Sequence, residues 1–437
     1  VSAPRGHAPD SPSGAASPFA SFGSGLDRAI TRGLHRATES ALGPYQSAIV
    51  RIGFALTWLL YLLREFPHRD ELYGPGSPWG LDLAKRLIAG NHAFSALMWS
   101  DSRAWFELVY ALAIVASATL LLGWRTRTSA LLFMVGVLSL QNRSIFIGDG
   151  GDNVVHIMAI YLAFTRCGQV WSLDRRRAVR RAARAEETAA GGTAEEAGRG
   201  DGGADPVGVT LWAVLGAALV TASLAGKLST GWALVFWGCW IGQAVWWAVR
   251  RYAPGEPRTV LDIIGNVVHN GAMLVIAAEV CLIYSTAGWY KIQGSRWQDG
   301  TALYYPLHLD DFTPWPALSH ALAGSGLLVM LISYGTVIVQ VAFPFTLFNR
   351  RVKNVLLCAM MLEHASIAIV LGLPFFSLAM IAADAVFLPT GFLRWVGKQV
   401  LRLLRTGPEP ARAVIHEQRS PGDPAPAAGP PPPSPVS

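Results

Sequence analysis

The chain has 437 residues, of which 52% are hydrophobic and only 15% are charged, with a net charge of +7. Soluble domains carry roughly a quarter charged residues, so a soluble enzyme of one or two domains is excluded, as is a disordered or collagen-like chain. The basic excess sits in runs beside apolar segments, at Arg175, Arg176 and Arg177, Arg180 and Arg181, Arg250 and Arg251, and Arg350 and Arg351; that is the cytoplasmic flank of membrane helices, not a nucleic-acid-binding face.

Residues 1–43 are rich in Ser, Gly, Ala and Pro and predict a mostly disordered cytoplasmic arm, with a short surface helix at 31–41. Segment 44–398 predicts an all-α, polytopic membrane bundle of about ten spans, each needing about 20 apolar residues. The first span is 45–64, with Arg51 one turn inside it. A long loop, 65–103, leads to spans at 104–124 and 128–146, joined by Arg125-Thr126-Arg127. The Gly-rich loop Gly148-Asp149-Gly150-Gly151-Asp152 opens a short fourth span, 153–167. Segment 168–206, rich in Ala, Glu, Arg and Gly, reads as a charged cytoplasmic linker, helical in its first part. Spans at 207–226 and 231–249 follow, then an amphipathic approach, 259–270, to a seventh span at 271–290. A polar, aromatic loop precedes the last three spans, 325–348, 353–372 and 375–396, and 399–437 is a Pro-rich cytoplasmic tail. With both termini in the cytoplasm, every inner segment carries Arg or Lys near a helix end. The short outer segments 147–152, 227–230 and 373–374 hold only Lys227, which fits a multi-pass cell-membrane protein.

Ionisable groups inside a bilayer are costly and face a partner or a cavity. The candidates are Arg51, Asn142, Arg143, His156, Glu279, Lys291, Glu363, His364 and Asp384. In this topology Asn142, Arg143, Asp149, Asp152, His156 and Lys291 lie towards the outer half and His364 near mid-membrane. They are expected to converge on one cavity open to the outside. Lys291 has two readings. It is a snorkelling anchor in an aromatic belt of Trp289, Tyr290 and Trp297, or a desolvated lysine held neutral to act as a base. Asp149 and Asp152 read as a turn with a capped helix start, so no metal site is expected. His156, one turn after Asp152, can pair with it. The four cysteines, Cys167, Cys239, Cys281 and Cys358, have no metal or redox spacing.

Three stretches share an order and spacing with a known family: Gly150-Gly151-Asp152-Asn153 leading to Trp171-Ser172-Leu173-Asp174; Tyr284-Ser285-Thr286-Ala287-Gly288-Trp289-Tyr290-Lys291-Ile292 leading to Trp297-Gln298-Asp299-Gly300-Thr301-Ala302; and His364 followed by Gly372 and Phe375-Phe376-Ser377. Together they resemble the horizontally transferred transmembrane (HTTM) domain. That is the membrane domain of vitamin K-dependent gamma-carboxylases, shared with bacterial proteins such as the sporulation-delaying protein B family. The resemblance covers most of 45–396, and the Ala-Gly-x-x-Lys and Trp-x-x-Gly elements are its most specific part.

The resemblance implies a cofactor, reduced vitamin K or menaquinol, and no metal. In the carboxylases a membrane lysine, which falls on Lys291, deprotonates the reduced quinone. Its oxygenation yields a strong base that removes the gamma-proton of a peptide glutamate, and the carbanion takes up carbon dioxide. His364 is implied as a polar partner of the quinone oxygen. Trp289, Tyr290, Trp297, Asn142, Asp152 and His156 are the further cofactor-binding candidates around the outer cavity. The implied partners are the lipid bilayer and a secreted peptide substrate, met by the outer loops 65–103 and 292–324, with no nucleic acid. Two departures stand out: Gly150-Gly151-Asp152 replaces the Asn-His pair of the animal carboxylases, and 207–249 adds a helical pair. A second expectation is a non-catalytic membrane factor for maturation, export or immunity of a secreted peptide, of the sporulation-delaying type. A transporter ranks last, since the hydropathy pattern shows no inverted repeat.

Overall fold

The computed structural model describes residues 18–191, 205–253 and 255–405. Among them are seventeen α-helices and no strands. Seven helical segments are long and apolar enough to cross a membrane: Pro44–Tyr73, Arg103–Leu122, Pro206–Leu224, Thr230–Tyr252, Glu256–Gln293, Gly326–Thr346 and Arg350–Val370. The count reaches eight if a bent pair near the C-terminus is one span.

Where the structure departs from the expected spans, the reason is local. The third and fourth segments form helices Thr126–Gln141 and Gly150–Leu162, of 16 and 13 residues. At 1.5 Å per residue they measure about 24 and 20 Å, short of the roughly 30 Å hydrocarbon core. Both are rich in buried residues, among them Phe133, Met134, Val137, Val155 and Met158. They can be short because protein surrounds them, and both of their starts are capped by carboxylates. The last expected span, 375–396, is broken. Helix Pro374–Asp384 and a 3-10 turn, Ala385–Phe387, end before Pro389. Leu388 takes extended angles (φ −65°, ψ 137°), as a residue before proline prefers. Helix Thr390–Arg405 then starts afresh.

The expected amphipathic approach and seventh span are one continuous 38-residue helix, Glu256–Gln293. Its early turns hold the N-terminal arm. Asn270 Nδ2 donates to the carbonyls of Ala37 and Ser40, Asn266 Nδ2 to that of Thr38, and Leu42 N–H donates to Asn270 Oδ1, all within 2.7–2.9 Å. Accordingly the arm is helical over Pro18–Glu39 rather than only at 31–41. The expected disorder of 1–17, 192–204 and 406–437 lies outside the described residues.

The central bundle consists of Pro44–Glu65, Arg103–Leu122, Thr126–Gln141, Gly150–Leu162 and Pro374–Asp384, whose inward faces form one apolar core. Small residues set its closest crossings. A Cβ on Gly53 would lie 2.5 Å from Ala382 Cβ, one on Gly136 2.9 Å from Ala113 Cβ, and one on Gly151 2.5 Å from Phe376 Cα. Such contacts give helices in lipid their packing energy.

Arg51 ties one end of this bundle. It is fully buried. Its guanidinium donates to the carbonyls of Leu121 and Trp171 (2.7 Å each), Cys167 (3.2 Å) and Leu120. Leu120 and Leu121 end helix Arg103–Leu122, where carbonyls lack intrahelical donors. Gly123 then turns the chain at φ 69°, and a Cβ there would meet Ser172 Cβ at 2.4 Å. Asp174 accepts the backbone N–H groups of Arg125 and Thr126 at 2.8 Å and caps helix Thr126–Gln141. Next to it, Arg125 pairs with Asp205 and holds that carboxyl below its usual range. The Trp171-Ser172-Leu173-Asp174 element is therefore a structural clasp. Replacing Arg51 with Met leaves the carbonyls of Leu121, Cys167 and Trp171 without that donor, while Leu120 keeps the Gly123 N–H, and each unsatisfied group costs about 1–3 kcal/mol. The variant is expected to lose about 3 kcal/mol or more in detergent unfolding followed by Trp fluorescence; parental stability would contradict the clasp.

Candidate functional site

Two hydrogen-bonded groups meet on the helix that carries Lys291. Lys291 Nζ donates to Gln340 Oε1 at 2.8 Å, and Gln340 Nε2 donates to Glu363 Oε1 at 2.7 Å. Two turns earlier, the Tyr284 hydroxyl donates to Asp384 Oδ1 at 2.9 Å and lies 3.0 Å from His364 Nε2. A hydroxyl has one hydrogen. With that hydrogen on Asp384, His364 Nε2 is the donor and Nδ1 keeps a bare lone pair. Glu363 and His364 are adjacent on helix Arg350–Val370, so one helix serves both groups.

The spacing of the motif explains the geometry. Gly288 lies three residues before Lys291 and shares its face of the helix. A Cβ at Gly288 would come 2.5 Å from Val341 Cγ2, so glycine lets helix Gly326–Ala342 approach without displacing Val341 and brings Gln340 to the lysine. Beyond the helix end the chain turns back, and the Trp297 ring lies 5.3 Å from Lys291 Nζ, within cation–π range. Gly300 closes this turn at φ 72°. Lys291 is half-buried, Gln340 is buried, and Tyr284, His364 and Asp384 are nearly or fully inaccessible. Three buried polar atoms here have no hydrogen-bond partner among the described residues: His364 Nδ1, Asp384 Oδ2 and Ser377 Oγ.

The other candidates lie elsewhere. Trp289 and Tyr290 are 61% and 73% exposed. Asn142 Nδ2 donates to Phe94 O, and His156 Nδ1 pairs with Gln141 Oε1, both at 2.9 Å. Gln141 rather than Asp152 is thus the hydrogen-bond partner of His156. Asp149 and Asp152 form a reciprocal capping box at the start of Gly150–Leu162. Arg143 donates to the carbonyls of Trp79 and Gly74 and holds the loop 65–103. The expected single cavity is thus replaced by separate places. One is a cleft of about 330 Å³ lined by Tyr61, Arg64, Glu65, Asp149, Asp152 and Phe375, without Lys291. The other is the polar array of Lys291 and His364. Between them stands the start of Pro374–Asp384: Phe375 lines the cleft, and the ring of Phe376 lies 5.6 Å from that of His364.

The sequence motif includes Tyr284 without a role for it, and Gln340 falls outside every motif. Both are polar side chains in apolar helices, and Tyr284 lies two turns before the lysine, on the same face. Among the described residues no three His, Cys, Asp or Glu side chains come together as a metal group. No protein-family model matches the sequence, and no curated protein or solved structure shows significant similarity to it.

The array has one consequence for stability. Tyr284→Phe removes a single hydroxyl yet strips partners from both His364 Nε2 and Asp384 Oδ1. It is expected to destabilise by about 1–3 kcal/mol, and more than Lys291→Met at the half-buried end. Detergent unfolding of both variants would show it; a neutral Tyr284→Phe would contradict the bonding.

Proposed function

We propose that the chain is an HTTM-type cell-membrane protein of ten spans with both termini in the cytoplasm, the short helices Thr126–Gln141 and Gly150–Leu162 counting as enclosed spans. In this reading it is a quinol-dependent enzyme of the gamma-carboxylase-like class, acting on a secreted peptide at the outer face. The observation that carries the reading is the chain Lys291–Gln340–Glu363. A snorkelling anchor sends its amine to water, whereas this amine turns inward to a buried amide with a carboxylate behind it.

The pair suits proton transfer. Ammonium with carboxylate and amine with carboxylic acid have the same net charge, so Lys291 can be neutral without leaving Glu363 as an unpaired buried anion. A base must be neutral to accept a proton at Nζ. The neighbouring group fits a reduced quinone in its chemistry. Its bare acceptors, His364 Nδ1 and Asp384 Oδ2, match hydroxyl donors, and the rings of Tyr284 and Phe376 provide an aromatic setting. When bound, the quinol supplies the reducing electrons and the hydroxyl proton. On the protein side, Lys291 takes up the proton, Glu363 balances its charge, Trp297 shields the amine from water, and His364 and Asp384 orient the hydroxyls.

General bases contribute about 10²–10⁴-fold. Quinol turnover in isolated membranes is expected to fall by at least 100-fold in Lys291→Ala. Lys291→Arg should be as inactive, because a guanidinium stays protonated. Unchanged turnover in Lys291→Ala would overturn the enzyme reading. A membrane factor for peptide maturation, export or immunity would instead tolerate Lys291→Arg.

A further inference from the structure

At the arginine-rich end of the bundle, the start of Thr126–Gln141, the end of Gly150–Leu162, the end of Thr230–Tyr252 and the first turns of Glu256–Gln293 come together around Trp246. The Arg127 guanidinium lies 4.1 Å from the Trp246 ring centroid, and that of Arg166 lies 5.4 Å from it. Arg250, one turn after Trp246, is near enough for its charge to act on Arg127. The acids facing this corner are already engaged. Asp262 binds Arg166 at 3.0 Å and lies 4.0 Å from Arg258. Asp174 accepts the backbone of Arg125 and Thr126. Arg127 and Arg250 have no hydrogen-bond acceptor or carboxylate partner among the described residues.

Three guanidinium groups therefore gather where the two facing carboxylates, Asp262 and Asp174, are already engaged. Like charges at such range repel unless an anion joins them. Guanidinium groups suit phosphate oxygens, which they bind in a bidentate fashion. Helix Thr230–Tyr252, which leads away from the corner, has no buried residue and exposes Ile241, Val245 and Trp247. Apolar side chains on more than one face of that helix are therefore open to lipid beside the cationic corner.

We propose that the corner formed by Arg127, Trp246 and Arg250 binds the phosphate of an anionic phospholipid, whose acyl chains lie along Thr230–Tyr252. Arg166, held by Asp262 and Asn266, forms its back wall. The inference rests on the membrane reading of the chain and not on the quinol reading, so its failure leaves the latter standing.

The test is native mass spectrometry of the purified full-length chain in detergent, titrated with phosphatidylglycerol, phosphatidylcholine or inorganic phosphate. Phosphatidylglycerol is expected to bind and phosphatidylcholine to bind far more weakly. Each basic residue at a membrane surface is worth roughly a fivefold change in affinity, so Arg250→Gln should weaken phosphatidylglycerol binding about fivefold and the Arg127→Gln, Arg250→Gln pair about 25-fold. Arg250 is exposed, which makes the single variant a probe with little burden on folding. Equal binding of the two lipids, or unchanged binding in the single and double variants, would overturn the proposal. Inorganic phosphate that displaces phosphatidylglycerol at equal concentration would overturn it in favour of a soluble phosphate.

Discussion

A guanidinium among apolar helices must be met by oxygen atoms from the protein, because the hydrocarbon offers none. Arg51 meets four carbonyls, and much of the bundle follows from that requirement. Two of those carbonyls end helix Arg103–Leu122 and the others belong to Cys167 and Trp171. One side chain thereby holds helix Pro44–Glu65, the end of Arg103–Leu122 and the chain that leaves Gly150–Leu162. Gly123 and Ser172 pack in the same clasp, and Asp174 starts helix Thr126–Gln141 from it. The most crowded helices of the core are therefore fixed at one end by polar contacts with strict geometric demands.

The same constraint is met differently around Lys291. There the polar groups form chains, Lys291–Gln340–Glu363 and His364–Tyr284–Asp384, and the second chain ends in bare buried atoms. A structural network gains most when every member is satisfied. Arg51 conforms to that rule, and the Tyr284 group does not. The unsatisfied acceptors, beside a lysine paired with a carboxylate through one amide, are the physical basis for reading this array as the working part of the molecule.

Much of the fold was legible in the apolar runs. Seven segments are long enough to span because their sequences are continuously apolar, and Lys291 stood out because charges within them are few. The short helices were harder to bound, since Thr126–Gln141 and Gly150–Leu162 are capped by Asp174 and by the Asp149–Asp152 box. Pro389 did mark the break in the final segment, although run length alone predicted one span. The array itself was only half visible. Lys291 and His364 are ionisable and conspicuous, whereas Gln340 and Tyr284 are ordinary residues until the close approach at Gly288 and the packing of Pro374–Asp384 give them partners. Asn142, Asp152 and His156 share the polar character expected of a site, yet Asn142 bonds the Phe94 carbonyl, His156 bonds Gln141 and Asp152 caps its own helix.

The central claim is that this array holds a reduced quinone. The most direct measurement is mass spectrometric identification of lipids that co-purify with the protein from bacterial membranes, compared with a His364→Ala, Asp384→Ala variant of matched yield. A menaquinone- or vitamin K-type molecule is expected with the parent chain and not with the variant. The same quinone content in both, or none in the parent, would contradict it.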